Sequence, residues 1–177
     1  TTILATPDPI EAMSMADRIA VMKDGKLQQY DTPENLYNNP RNLFVAEFIG
    51  TPTMNFIKGS LDALKGSFLS EIGAVDLIEE FSKKSSSRKI IIGIRPEDIY
   101  VYKEKIPYSK KAQVRLVEPL GTEKILHLDM DGTIIRALVP IEFDVKPGDV
   151  VYTSFEKSNM HIFDEETGLN LLNVESF

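Results

Sequence analysis

Few residues of this 177-residue chain have the types and spacing that chemistry demands, and most of those read as architecture. Asp8 and Glu11 could form a carboxylate pair for acid–base work. With Pro9 between them, though, the spacing is a capping-box pattern at a helix start. His127 lies in the alternating run Ile125-Leu126-His127-Leu128, opposite to its leucine neighbours, and His161 opens a late strand. Two isolated histidines without companions at ligand spacing read as surface or hydrogen-bonded side chains, not as a metal centre. Lysine precedes serine at Lys84-Ser85 and Lys157-Ser158, but neither lysine follows glycine, so neither pair ends a phosphate-cradling loop. Lys23-Asp24-Gly25 and Met130-Asp131-Gly132 are turn chemistry, because left-handed geometry favours Gly, Asn or Asp. Arg95-Pro96-Glu97-Asp98 and Leu120-Gly121-Thr122-Glu123 stay open between a local turn and a contact surface.

Bulk composition narrows the classes further. A chain of this length can bury roughly 70% of its unfolded surface, enough for one ordinary domain or two small ones. Acidic residues outnumber basic ones 27 to 20, a formal charge of −7 that repels phosphate backbones and anionic lipid. The dense basic spot, Lys83-Lys84 with Arg88-Lys89, brackets a serine run and reads as a solvated loop. There is no cysteine, which removes disulfides and thiolate metal sites and fits a reducing compartment. No apolar run approaches the roughly 20 residues needed to span a bilayer, so membrane association must come through a partner.

The elements that must position these residues fall into two textures. Ile3-Leu4-Ala5 has the character of a strand buried on both faces. A capped helix should run from Asp8 to about Ala16, followed by strands 18–22 and 26–30 joined at Asp24-Gly25, a strong hairpin signal. Thr32-Pro33 opens a short helix, Pro40 interrupts it, and helical periodicity resumes from Asn42 to Ile49 before Gly50 and Pro52. After Met54 short strands take over: 55–61, 67–72, 89–95, 99–102, 112–118, 124–130, 133–139, 150–155, 161–163 and 170–172. Val75, Leu77, Ile78 and Phe81 suggest one amphipathic helix among them, with 83–88 a polar loop. Strands this short and regularly punctuated indicate a small barrel or sandwich, or two barrel-like units of similar size. Phe44, Phe48 and Phe56 should pack the junction between the halves.

On these residues the chain resembles a known family. The stretch from Thr2 to Gly50, with Thr6-Pro7-Asp8 followed by Glu11-Ala12, is similar to the closing segment of the ATP-binding subunit of sugar-import ABC transporters, relatives of the maltose-transporter ATPase. GIRPEDI (93–99), VEPLGTE (117–123), VKPGDVV (145–151) and HIFDEETGLNL (161–171) resemble, in order, the regulatory domain of that family, an OB-like barrel of the kind called TOBE. The resemblance implies a mainly β fold with some α. A strand-helix-hairpin-helix remnant of a P-loop ATPase domain (1–52) would precede a TOBE/OB-like β-barrel regulatory domain (53–177). It also implies that the opening of the ATPase domain is missing, leaving Ile3–Ala5 without its sheet, so that residues 1–50 pair with another copy or fold back differently.

What the resemblance implies for function follows residue by residue. The family's switch histidine, which contacts the γ-phosphate of ATP, falls on Pro7, between Thr6 and Asp8, and proline cannot make that contact. The phosphate-binding loop, the acidic run that holds Mg²⁺ and the Leu-Ser-Gly-Gly-Gln signature are not found in this sequence. The chain is therefore expected not to be an enzyme, with no catalytic, cofactor or metal residues of its own; ATP and Mg²⁺ belong to the intact parent. Arg95, Pro96, Glu97 and Asp98 become candidates for contacts in a regulatory dimer or at the ATPase-domain boundary. Leu120, Gly121, Thr122 and Glu123 become candidates for a regulatory docking face. The implied partners are a second copy, the membrane permease subunits and a regulatory protein, with no nucleic acid. The implied location is cytoplasmic, peripheral on the inner face of the membrane. Two other classes stay in play: an oxyanion-sensing TOBE module, and an OB-type oligonucleotide binder using Tyr100 and Tyr102.

Overall fold

The structure is a computed structural model, and it describes residues 2–62, 67–76 and 89–172. It opens with helix α1 (Pro9–Met15), capped by Asp8, whose carboxylate accepts from the Ile10 N–H at 2.8 Å. The Asp8 N–H is taken by Thr6 Oγ1 at 3.1 Å, the place a capping box would give to Glu11. Strands β1 (Ile19–Lys23) and β2 (Lys26–Asp31) form the expected hairpin, with Asp24 and Gly25 both at positive φ. Helix α2 (Pro33–Asn38) is capped by Thr32 and helix α3 (Leu43–Phe48) by Asn42. The peptide bond between Thr51 and Pro52 is cis.

Among the described residues, ten further strands form two five-stranded antiparallel sheets. The first contains β3 (Asn55–Asp62), β4 (Ser67–Ser70), β5 (Gly73–Asp76), β6 (Lys89–Ile94) and β12 (His161–Asp164), in the order β12-β6-β3-β4-β5. The second contains β7 (Ile99–Tyr102), β8 (Lys110–Pro119), β9 (Glu123–Met130), β10 (Thr133–Pro140) and β11 (Val150–Phe155), in the order β10-β9-β8-β11-β7. Alternate residues of both sheets face one shared core: Ile57, Phe68, Ile90, Ile92 and Ile94 meet Val114, Leu126, Leu128, Ile135 and Val151. Buried Asn55 stitches the sheets together. Its amide donates to the carbonyls of Ile94 and Arg136, and its oxygen accepts from the Arg136 N–H, all within 3.2 Å.

Four expectations change. Ile3–Ala5 is not a strand, and Ile3 is 94% exposed; a strand needs a neighbour to take its backbone groups, and the described residues supply none. Val75 belongs to strand β5, paired with Phe68, and not to a helix; the rest of the suggested helix, and the loop at 83–88, lie outside the described residues. The strand at 170–172 reduces to a single bridge between Phe163 and Asn170. Of the three phenylalanines, Phe56 packs the junction, edge-on to Phe163 at 6.0 Å, while Phe44 packs on the small N-terminal core and stacks with a partly exposed Phe48.

Candidate functional site

Strand β6 explains how a charged side chain reaches the interior. Its even-numbered isoleucines face the shared core, and its odd positions, Ile91, Gly93 and then Arg95, face away from it. That second face is covered by Ala46 of α3, Met54 and Phe163, so the strand is buried on both sides. Gly93 is required there, because an added Cβ would stand 2.5 Å from Met54 Sδ and 2.9 Å from a Phe163 ring carbon. One step further, the next side chain on this face meets helix ends and not helix flanks. Arg95 is 2% exposed.

Its guanidinium closes two helices at once. Nη2 donates to the Tyr37 carbonyl at 2.6 Å, in the last turn of α2, and Nη1 donates to the Ile49 carbonyl at 3.0 Å, the C-cap of α3. The last carbonyls of a helix lack intrahelical partners and carry the negative end of its dipole, which a cation complements. The guanidinium also lies 3.5 Å from the centroid of the Tyr37 ring, a cation–π contact. Gly50 makes room: its φ is +131°, and a Cβ there would stand 2.6 Å from Nη1. Burial pulls the Arg95 pKa down to about 10, with Asp98 opposing, so the group keeps its charge at neutral pH.

The rest of the motif forms a single turn of 3-10 helix, Pro96–Asp98. The Tyr37 hydroxyl donates to Glu97 Oε1, and Asn159 Nδ2 donates to Asp98 Oδ1 at 2.8 Å. Both carboxyls are held above their usual range, chiefly by desolvation. For Glu97 a backbone N–H works against this, and the charges of Asp98 and Glu123 add to it.

Glu123 links the two candidate motifs. The loop Leu120–Glu123 between β8 and β9 is exposed, Leu120 at 53%, and is closed by the Leu120 N–H on the Glu123 carbonyl at 2.7 Å. The structure thus brings Glu97 and Glu123 to one rim of the barrel, while Arg95 and Pro96 are buried beneath it. Sequence reasoning reads Gly50 with Pro52 as a helix stop and does not single out Tyr37 or Asn159. Nothing local marks Tyr37 as the residue across from Arg95.

The histidines form no metal group, and among the described residues no cluster of three or more His, Asp or Glu could hold one. His127 Nε2 stands 3.3 Å from Glu118 Oε2, within ion-pair range but not aligned as a hydrogen bond. His161, half-buried beside the Phe163 ring, has its pKa pushed down to about 4 by burial and then by the Arg95 charge. A second seam joins the segment to the barrel: the Leu43 N–H reaches the Gly168 carbonyl and the Asn170 N–H the Arg41 carbonyl, both at 2.9 Å. An open cleft of about 660 Å³ lies elsewhere, between Ile72, Lys110, Gln113 and Asp131, with Lys110 Nζ on the Ile72 carbonyl at 2.6 Å.

Known proteins match this arrangement. The family described as the MalK OB fold domain matches residues 50–99, and the TOBE domain matches residues 92–163. The chain is 38% identical to the oligosaccharides import ATP-binding protein MsmX of Bacillus subtilis, over 97% of this chain and 49% of that protein. It is 40% identical to the trehalose/maltose import ATP-binding protein MalK of Thermococcus litoralis, over 95% and 48%. It is 39% identical to the xylose/arabinose import ATP-binding protein XacK of Haloferax volcanii, over 99% and 47%. The chain therefore spans about half the length of the curated relatives it matches. In fold it is similar to the cytoplasmic molybdate-binding protein ModG, with a TM-score of 0.52 at 18% identity, over 61% of this chain and 94% of that one. The likeness establishes a half-barrel architecture of the OB and TOBE type and nothing about a ligand. With the MalK OB fold domain and the TOBE domain in sequence over residues 50–163, the chain carries the MalK-type OB/TOBE domains, and its homologues are ATP-binding proteins named for sugar import.

Proposed function

We propose that this chain is the regulatory, subunit-joining portion of an ATP-binding subunit that drives sugar uptake, and that it does not itself turn over ATP. Residues 1–52 are the tail of the nucleotide-binding domain and residues 53–177 the regulatory domain. The parent subunit binds ATP and Mg²⁺, works as a homodimer and engages membrane permease subunits from the cytoplasmic face.

The observation that carries this reading is the attachment of the helical segment to the barrel through Arg95. A barrel fixed in this way to the tail of an ATPase domain moves with it. A lasting contact between two such barrels then keeps the moving domains at high effective concentration. The exposed loop Leu120–Glu123, beside Glu97, is the face we assign to that contact or to a regulatory protein.

Light scattering on the eluting chain at tens of micromolar tests the reading, with a dimer expected; a strict monomer sinks the dimer role. The same material should release no phosphate from ATP in the presence of Mg²⁺. Sustained turnover would show that fuel-handling groups are present after all.

A further inference from the structure

Tyr37 gives three separate groups to the turn at 95–97. Its carbonyl accepts from Arg95 Nη2, its ring lies under the guanidinium, and its hydroxyl donates to Glu97. It packs on the small core that also contains Leu36 of α2 and Val45 of α3, and Ile49, the α3 cap, belongs to the same core. Glu97 is exposed on the rim, where it feels the charge of Glu123 at the end of the Leu120–Glu123 loop. An event on the rim therefore has a short physical route to two helix ends.

We infer that Tyr37 is the relay by which the barrel rim and helices α2 and α3 sense each other. While Glu97 is an ionised acceptor, it holds the phenol, and the phenol keeps its ring beneath Arg95. A cationic group from a docking partner that claims the Glu97 carboxylate takes that acceptor away. The ring is then restrained by Arg95 alone, and the grip of the guanidinium on the Tyr37 and Ile49 carbonyls loosens. The seam between residues 41–43 and 168–170 is untouched by this, so the response is a loosening of helix ends and not a detachment. Charge-assisted hydrogen bonds are roughly twice as strong as neutral ones, which makes the ionised Glu97 the sensitive member. The inference deepens the regulatory reading and rests on it only for what docks on the rim.

The test is a double-mutant cycle read by amide hydrogen exchange in the full chain. Glu97→Gln keeps an acceptor oxygen but removes its charge, and Tyr37→Phe removes the hydroxyl alone. Each single variant is expected to speed exchange at the Leu36, Val45 and Ile49 amides by about fivefold to tenfold, with β9 and β10 amides unchanged. The double variant is expected to be no faster than Tyr37→Phe. Glu123→Gln lifts a repulsion from the ionised Glu97, so it should act weakly in the opposite sense, slowing exchange at those amides, and should be silent in the Tyr37→Phe background. Additive effects in the double variant, or a Glu97→Gln protein with unchanged exchange at those three amides, overturn the relay. Uniformly faster exchange through the barrel also overturns it, since Tyr37 would then be a general stability residue. Light scattering on the same variants reads the dimer separately, so either reading can fail while the other stands.

Discussion

Among the described residues, nineteen buried apolar side chains from both sheets and their connections fill the barrel, whereas the N-terminal segment assembles Ile19, Val21, Leu36, Val45 and Ile49. The barrel closes its sheets over that core and places a buried amide, Asn55, where two backbones would otherwise go unpaired. The N-terminal segment instead leaves Met22, Leu27 and Tyr30 facing solvent and relies on capped helices, a hairpin and a charged clasp. The contrast teaches where each region can be disturbed. The barrel responds to lost apolar volume, and the segment responds to the polar contacts at its ends.

Four measurements would break or sharpen that contrast. Leu128→Ala empties volume at the centre of the barrel and should cost about 3–4 kcal/mol in urea unfolding, carrying the N-terminal segment down with it. If only the barrel's own signal moved, the two regions would be independent folding units. Asn55→Leu leaves the Arg136 N–H and C=O without their partner and should cost about 2–3 kcal/mol, with faster exchange confined to the β3–β10 seam.

Acid should find His161 next. Its folded pKa of about 4 lies below the unfolded value, so the stability it contributes is whole above roughly pH 6.5 and is lost as the pH falls toward 4. Glu97 and Asp98 act with the opposite sign. Their raised pKa values mean that the folded state binds those protons more readily, so acidification relieves the rim while it strains the histidine. His161→Gln should therefore remove about 1–2 kcal/mol of acid sensitivity between pH 7 and 5, allowing for the solvent that reaches the ring. An unchanged pH profile of the melting temperature would show that the buried histidine is not the acid-sensitive group. Thr32→Ala, the smallest change, removes the cap on α2 and should cost about 1 kcal/mol, seen as faster exchange at the amides of residues 34–38 with the barrel unaffected.

Much of this fold was legible in the chain because its signals are local. Asp24-Gly25 and Asp131-Gly132 turn where left-handed backbone is needed, and Asp8, Thr32 and Asn42 cap where helices start. The misreadings have one cause. Hydrophobicity alone suggests a strand at Ile3–Ala5 and a helix at Val75, but whether an apolar run becomes a strand depends on which backbone lies beside it. The same holds at the site. Arg95 is conspicuous by type, yet its neighbours leave its role open between turn and contact, because both carbonyls it binds lie more than forty residues away in sequence.

The amino-acid sequence by itself determined the element order, the family and the two motifs that end on the rim, since propensity, turn chemistry and motif spacing are properties of neighbouring residues. Only the tertiary structure decided that Arg95 caps α2 and α3 together, that Gly50 clears its path, and that Tyr37 joins the guanidinium to Glu97. The physical reason is burial. Once β6 is covered on both faces, a cation at its end must find oxygen atoms or pay for desolvation, and the helix ends that offer them arrive only through the fold.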